Sequence, residues 1–278
     1  MSGESPMADA RYVRRFDATD RAQHLALLVA FLGLAATGLP LRFSQAGWAR
    51  PMAQVFGGFG VTGVIHRLFA LVLIGVFLFH VARIAWRLVR GEWGVLWGPA
   101  SLVPQPRDVR DFYHHVRWFL WQGPKPAFDR YTYWEKFDYM AVFWGMVIIG
   151  GSGLMLWFPE FFARMLPGWA FNVALLVHGE EALLAVGFIV AIHFFNSHMR
   201  PQKFPMDLVM FTGVVAEDEY ARERPLEYAR LIATGRLEAR VSPAPDARVV
   251  RRARIGGAAA IAVGFILALL ILIAFLTG

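Results

Sequence analysis

The chain has 278 residues, of which 57% are hydrophobic and only 18% charged, and its mean hydropathy is +0.45. That balance excludes an ordinary soluble domain, and the absence of cysteine excludes disulfides, thiolate-held iron–sulfur clusters and covalently attached c-type haem from this chain. The formal charge of +7 is not a nucleic-acid signature, because the basic residues are distributed by membrane topology.

The first 20 residues are polar and contain Arg11, Arg14 and Arg15. No apolar core of a cleavable signal precedes the first long run, so the first helix is expected to stay as an anchor. A bilayer core of about 30 Å needs roughly 20 helical residues. Five runs meet that length, at about 22–40, 61–86, 137–158, 170–196 and 255–276. Asp17, Thr19 and Asp20 are candidate N-caps of the first. Residues 47–58 read as a short interfacial piece, "GPASLVPQPRD" as a loop, and "DVRDFYHHVRWFLW" as a short amphipathic helix on the cytoplasmic face. Residues 205–250 are polar and expected outside the membrane, with "SPAPDA" as a flexible linker. The expected fold is an all-α integral membrane protein. A four-helix transmembrane bundle occupies 1–204, a cytoplasmic polar segment and linker 205–250, and an additional C-terminal transmembrane helix 251–278.

Arginine and lysine crowd the N-terminus, the 87–136 loop and the 199–254 segment, whereas the opposite loops hold only Arg42, Arg50 and Arg164. The positive-inside rule therefore places the N-terminus in the cytoplasm and the C-terminus outside.

On this topology the histidines fall at two depths. His66 and His178 lie near the outer starts of the second and fourth helices. His24, His80 and His193 lie near the inner ends of the first, second and fourth. His66 and His80 are 14 residues apart, and His178 and His193 are 15 apart. At about 100° and 1.5 Å per residue, each pair returns to nearly one face, separated by roughly 21–23 Å. That suits two stacked b haems, one near each membrane face, each held by imidazoles from two facing helices. Small residues such as Gly63, Gly75, Gly150, Gly151, Gly153, Gly179 and Gly187 let a flat macrocycle approach the backbone. The bland alternative is a set of buried histidines bonded between helices, or proton-relay groups of a haem-free carrier or anchor.

The stretches "DRAQHLALLVAFLGLAATGL", "GVIHRLFALVLIGVFLFH" and "LLVHGEEALLAVGFIVAIH" resemble the cytochrome b subunit of membrane formate dehydrogenases, a family akin to the b-type cytochromes of nickel–iron hydrogenases. The resemblance covers roughly Arg11 to Lys203. It implies a four-helix bundle with two b haems. The outer haem is held by His66 and His178 and the inner by His24 and His193. The chain then passes electrons between quinone, its substrate near the inner haem, and a redox partner on the periplasmic face of a bacterial inner membrane. Three departures stand out. The helix-four histidine spacing is one residue longer than that family's usual 14, which allows a bulge or a rotated ligand. His80 is an extra inner histidine, and a His66/His80 with His178/His193 arrangement would instead resemble cytochrome b of quinol–cytochrome c oxidoreductases. A third haem on the spare histidine is a further alternative. "HFFNSHMRPQKFPMD" and the fifth helix resemble cytochrome b subunits that accompany multihaem c-type cytochromes. The partner is thus a multihaem cytochrome c, an iron–sulfur/molybdenum subunit or a hydrogenase subunit.

Other polar groups have weaker readings. Glu180 and Glu181 sit beside His178. Glu135 and Lys136, at the cytoplasmic start of helix three, and His198 are quinone-binding candidates, against a solvated helix start. Arg67 and Arg200 are candidate propionate partners, and Lys203 a propionate or lipid-headgroup partner. Arg83 is expected to snorkel, and His114 and His115 to lie on the surface. The function expected is a membrane di-haem cytochrome b subunit. The alternatives are a stand-alone transmembrane haem reductase and a haem-free proton-coupled carrier or anchor.

Overall fold

The computed structural model describes residues 11–277. The first ten residues, over which no signal core is read, lie outside the described residues. In chain order the principal elements are β1 (Tyr12–Arg14), α1 (Ala18–Arg42), α2 (Ala49–Val55), α3 (Phe59–Val89), α4 (Pro106–Phe119), α5 (Tyr133–Trp157), α6 (Trp169–Met199), β2 (Val214–Ala216), α7 (Glu217–Glu223), α8 (Pro225–Ala233), β3 (Val241–Ser242) and α9 (Ala247–Thr277). Helices α1, α3, α5, α6 and α9 are long and apolar enough to cross a membrane, and they coincide with the five runs read from the sequence. The chain is a multi-pass helical membrane protein by length and composition. It is all-α apart from the three short strands.

The described residues form two compact units. The polar unit takes the segments up to Ala22, Ala82–Met140 and Leu208–Arg254. The helical unit takes Gln23–Val81, Ala141–Asp207 and the chain from Ile255 on.

In the helical unit, a lipid-spanning helix satisfies its own backbone, so the sequence needs only an apolar surface and a few polar groups with local partners. Thr37 and Ser152 meet that condition. Their hydroxyls donate back to the carbonyls of Gly33 and Ile148, each at 2.6 Å. Leu39, Val186 and Leu267 form a buried cluster that joins α1, α6 and α9. Lipid supplies no hydrophobic force between helices, so close approach must come from small residues. Gly264 of α9 is one: a Cβ there would sit 2.6 Å from the Phe194 ring of α6. Neither α5 nor α6 is regular throughout. α5 contains a π-helical turn at Met146–Gly150, and α6 contains two, at Ile189–His193 and Phe195–Met199.

The polar unit is built by different means. Its three-stranded antiparallel sheet has the order β2-β1-β3, with Val13 facing Val215 on one side and Val241 on the other. Val13, Val209, Val215, Tyr220, Leu231 and Leu237 make the core. The stretch 205–250, expected as a polar segment and linker, is thus largely folded, and only 243–246 of the "SPAPDA" run lacks helix and strand. Around this core lie buried ion pairs. Glu227, 1% exposed, accepts from Arg130 at 3.0 Å and Arg240 at 2.8 Å. Burial alone would raise its pKa. The Arg130 and Arg240 guanidiniums and the neighbouring Tyr220 hydroxyl more than offset that, and hold the carboxyl below its usual value. Asp17 and Asp20 form a reciprocal cap at the start of α1, and both are ion-paired with Arg83.

Candidate functional site

In the helical unit the structure brings together His66 of α3 and His178 of α6, with ring centroids 6.3 Å apart and planes at 80°. Each ring is held in the same way. The Nδ1 of His66 lies 3.0 Å from the Thr37 hydroxyl oxygen, whose own proton goes to the Gly33 carbonyl. His66 Nδ1 therefore carries the hydrogen and donates it. The Nδ1 of His178 lies 3.0 Å from the Ile149 carbonyl, which can only accept, so this nitrogen is also the donor. Ile149 belongs to the π turn of α5, where the wider i→i+5 pattern makes carbonyls available to side chains. The Ser152 hydroxyl stands 3.3 Å from the same nitrogen. Both outer imidazoles are thus fixed as the tautomer whose lone pair is on Nε2, the form that binds a metal while its other nitrogen is hydrogen-bonded.

Glycines clear the space beside both rings. A Cβ at Gly38 would meet His66 Cε1 at 3.0 Å, and one at Gly153 would meet His178 Cε1 at 3.0 Å. The sequence pairs Thr37 with Gly38 and Ser152 with Gly153, so one hydroxyl–glycine step faces each outer histidine. Neither dipeptide stood out in the sequence for this role, although Gly153 did as a small residue. The repetition of a small hydroxyl residue before glycine in apolar runs does not single them out, since Thr62–Gly63 has the same form.

At the other end of α6, His193 faces His24 of α1, with centroids 6.5 Å apart and planes at 35°. His198 lies 6.4 Å from His193, edge to face. His80 is engaged differently, with Nδ1 3.4 Å from the Gln23 amide and its ring 6.2 Å from Phe143. Of the two inner candidates, His24 is the one that faces His193. The extra residue between His178 and His193 coincides with the π turn at Ile189–His193. A π turn absorbs about one residue, so the 15-residue interval acts as roughly 14 α-helical ones.

Two imidazoles binding one metal ion from opposite sides, each nitrogen about 2 Å from it, hold their centroids roughly 6 Å apart. Both observed pairs have that separation. Among the described residues no group of three or more histidine, aspartate or glutamate side chains gathers as a chelating cluster.

The remaining candidates have intrachain partners. Glu180 pairs with Arg42 at 2.7 Å, and Glu181 accepts from the Trp144 indole at 3.3 Å. Arg67 lies over the Trp157 ring at 5.8 Å. Lys203 pairs with Asp207 at 3.0 Å, and the Arg200 backbone closes α6 on the Phe195 carbonyl at 3.1 Å.

In the polar unit Glu135 is a capping residue. It accepts from the Thr132 backbone and hydroxyl at 2.8 and 2.7 Å, and from Arg15 and Arg224, each at 2.9 Å. Lys136 donates to both carboxylate oxygens of Asp108 at 2.9 Å, and the pair is buried. It lines a cleft of about 360 Å³ with Trp97, Arg107, Asp111, Asp129 and Tyr131. Both quinone candidates of helix three are therefore engaged in ion pairs rather than solvated. His115 corrects its surface expectation: it is 7% exposed, bonded to the Tyr133 hydroxyl at 3.0 Å and stacked on Trp118 and Trp134. His114 is exposed, as expected.

Comparison with known protein families finds no family model that matches this chain, and comparison with curated proteins finds no similar sequence.

Proposed function

We propose that this chain is a membrane di-haem cytochrome b subunit, of the kind found with formate dehydrogenases and nickel–iron hydrogenases. It would transfer electrons between the quinone pool and a redox partner on the outer, periplasmic face of a bacterial inner membrane. The observation that carries the reading is the pair of histidine couples at 6.3 and 6.5 Å, one at each end of α6.

His66 and His178 would hold one b haem and His24 and His193 the other. A haem so held supplies one-electron transfer at a potential set by its ligands and their hydrogen bonds. The residues of this chain do the rest. Thr37, Ser152 and the Ile149 carbonyl orient the outer imidazoles and keep Nδ1 protonated. Gly38 and Gly153 leave those rings room. The apolar helices keep water from the interval between the two levels. Quinone chemistry belongs at the inner level, where His198 adjoins His193. The arginine-rich N-terminus, 87–136 loop and 199–254 segment put that level on the cytoplasmic side.

The deciding experiment is an absorption spectrum of the purified, dithionite-reduced chain expressed with haem supplied, together with a pyridine-haemochrome count. The expected result is a bis-histidine b-type spectrum at about two haems per chain. A preparation without a Soret band would overturn the reading in favour of a haem-free carrier or anchor. Full quinone-linked activity of the isolated chain would favour a stand-alone reductase over a subunit.

A further inference from the structure

Helix α4 of the polar unit has its sides reversed. A surface helix of a water-soluble domain turns its apolar stripe inward and its polar face outward. The face that α4 turns to the protein carries Asp108, Asp111 and His115, of which Asp108 and His115 are buried at 9% and 7% exposure. Its outward face carries Val109, Phe112, Tyr113, Val116 and Phe119, continued by the C-cap Leu120, all between 38% and 72% exposed. At about 100° per residue these six fill a continuous arc of roughly 120°. Beside it runs a second exposed arc of about 60° made of Arg110, His114 and Arg117.

The attachment of α4 fixes where this face lies. Asp108 is bonded to Lys136 at 2.9 Å, and His115 to the Tyr133 hydroxyl at 3.0 Å. Tyr133 and Lys136 form the first turn of α5, one of the helices long enough to cross a bilayer. α4 is therefore clamped to a membrane-length helix where that helix begins. On either side of it the chain presents further exposed aromatics, Trp93 at 64%, Trp97 at 66% and Trp121 at 93%, the residue type that sits at headgroup level.

We propose that α4 lies in the membrane surface, with its Val109–Leu120 arc in the acyl boundary and Arg110 and Arg117 on the headgroups of anionic phospholipid. The charge complementarity decides for an anionic leaflet: no acidic residue shares either exposed arc, whereas the carboxylates of α4 face the protein. The inference does not depend on haem.

The chain contains no cysteine, so single cysteines introduced by substitution report one position each. The full chain carrying Val116→Cys, Tyr113→Cys, His114→Cys or Arg117→Cys is spin-labelled in nanodiscs of phosphatidylcholine, with or without phosphatidylglycerol. Accessibility to oxygen is compared with accessibility to a water-soluble nickel chelate. The expected outcome is an oxygen-to-nickel ratio severalfold higher at 113 and 116 than at 114 and 117, with the difference growing when phosphatidylglycerol is present. Equal nickel access on both arcs would overturn the proposal. Protection of 113 and 116 from both reagents would also overturn it, in favour of a second copy or a partner protein on that face. Indifference to phosphatidylglycerol, or a response unchanged in an Arg110→Ala, Arg117→Ala variant, would remove the anionic lipid from it. All the substituted positions are exposed, and His114→Cys controls for folding on the same helix.

Discussion

The outer and inner histidine pairs share a separation but differ in how they are supported. Behind His66 and His178 stand two matched pairs, a hydroxyl and a glycine on the neighbouring helix, and His178 has the Ile149 carbonyl as well. The rings are nearly perpendicular, and each has one defined tautomer. At the inner level the His24 and His193 planes meet at 35°. His198 adjoins His193, and His80 reaches Gln23, the residue before His24. No helix hydroxyl stands behind His24 among the described residues. The outer level thus has one arrangement, fixed by groups on the neighbouring helices. The inner level has more imidazoles than two ligand positions need. On the proposed function, the difference would suit an outer site that only passes electrons and an inner one where protons are also handled.

The largest effects are expected from the ligands themselves. His66→Ala or His178→Ala should lower bound haem from about two per chain to one, counted by pyridine haemochrome, because the outer level has no spare imidazole. At the inner level His24→Ala should remove one haem and His80→Ala none. If His80→Ala removes it instead, the inner assignment passes to His80 and the comparison loses its basis.

Next come the glycines. A Cβ at Gly38 or Gly153 already stands 3.0 Å from an imidazole carbon, and the branches of valine would reach further. Gly38→Val and Gly153→Val should each cut outer-haem occupancy severalfold and leave the inner haem in place, which redox titration of the two potentials would resolve. Smaller again are the hydroxyls. Thr37→Val and Ser152→Ala keep the volume or reduce it slightly and remove only the hydrogen bond. Loss of such a partner typically weakens metal binding by roughly 10-fold to 100-fold. Haem titration into the haem-depleted chain should show that weakening, with His178 the less affected because Ile149 still accepts from it. Equal retention in both variants would mean that the matched support is incidental.

How much of this was legible follows from which forces act locally. The five spans were, because lipid demands long apolar runs and α3, Phe59–Val89, has little else. The grouping of His66 with His178 and of His24 with His193 was, because helical rise separates the two α6 histidines by several turns. The steps Thr37–Gly38 and Ser152–Gly153 were not, because small residues are common in membrane helices and only the facing helix gives these two a role. The polar unit was the least legible. β1 has three residues, too few for an alternation signal, and its partners lie about two hundred residues away at Val214–Ala216 and Val241–Ser242. Glu135 illustrates this. Its sequence position suggests a quinone contact or a solvated helix start, whereas it caps α5 with Thr132 and binds arginines from positions 15 and 224.

The smallest expected effect tests the geometry that links the two levels. In an unbroken α-helix, 15 residues advance about 60° past whole turns and 14 fall about 40° short, so the two intervals aim a side chain roughly 100° apart. The π turn at Ile189–His193 takes up the additional residue before His193 is reached. Ala191 lies within that turn and is exposed. Deleting it should convert the turn to α-helix without re-aiming His193, because the π turn and the extra residue disappear together. The variant should keep about two haems and nearly unchanged potentials. Insertion of an alanine beside Ala191 has no such compensation unless the π segment lengthens, and should cost the inner haem while sparing the outer. A deletion that loses the inner haem as completely as His193→Ala would mean that the 15-residue interval itself, not an effective 14, sets the inner ligand. The two levels would then be coupled through a differently wound α6.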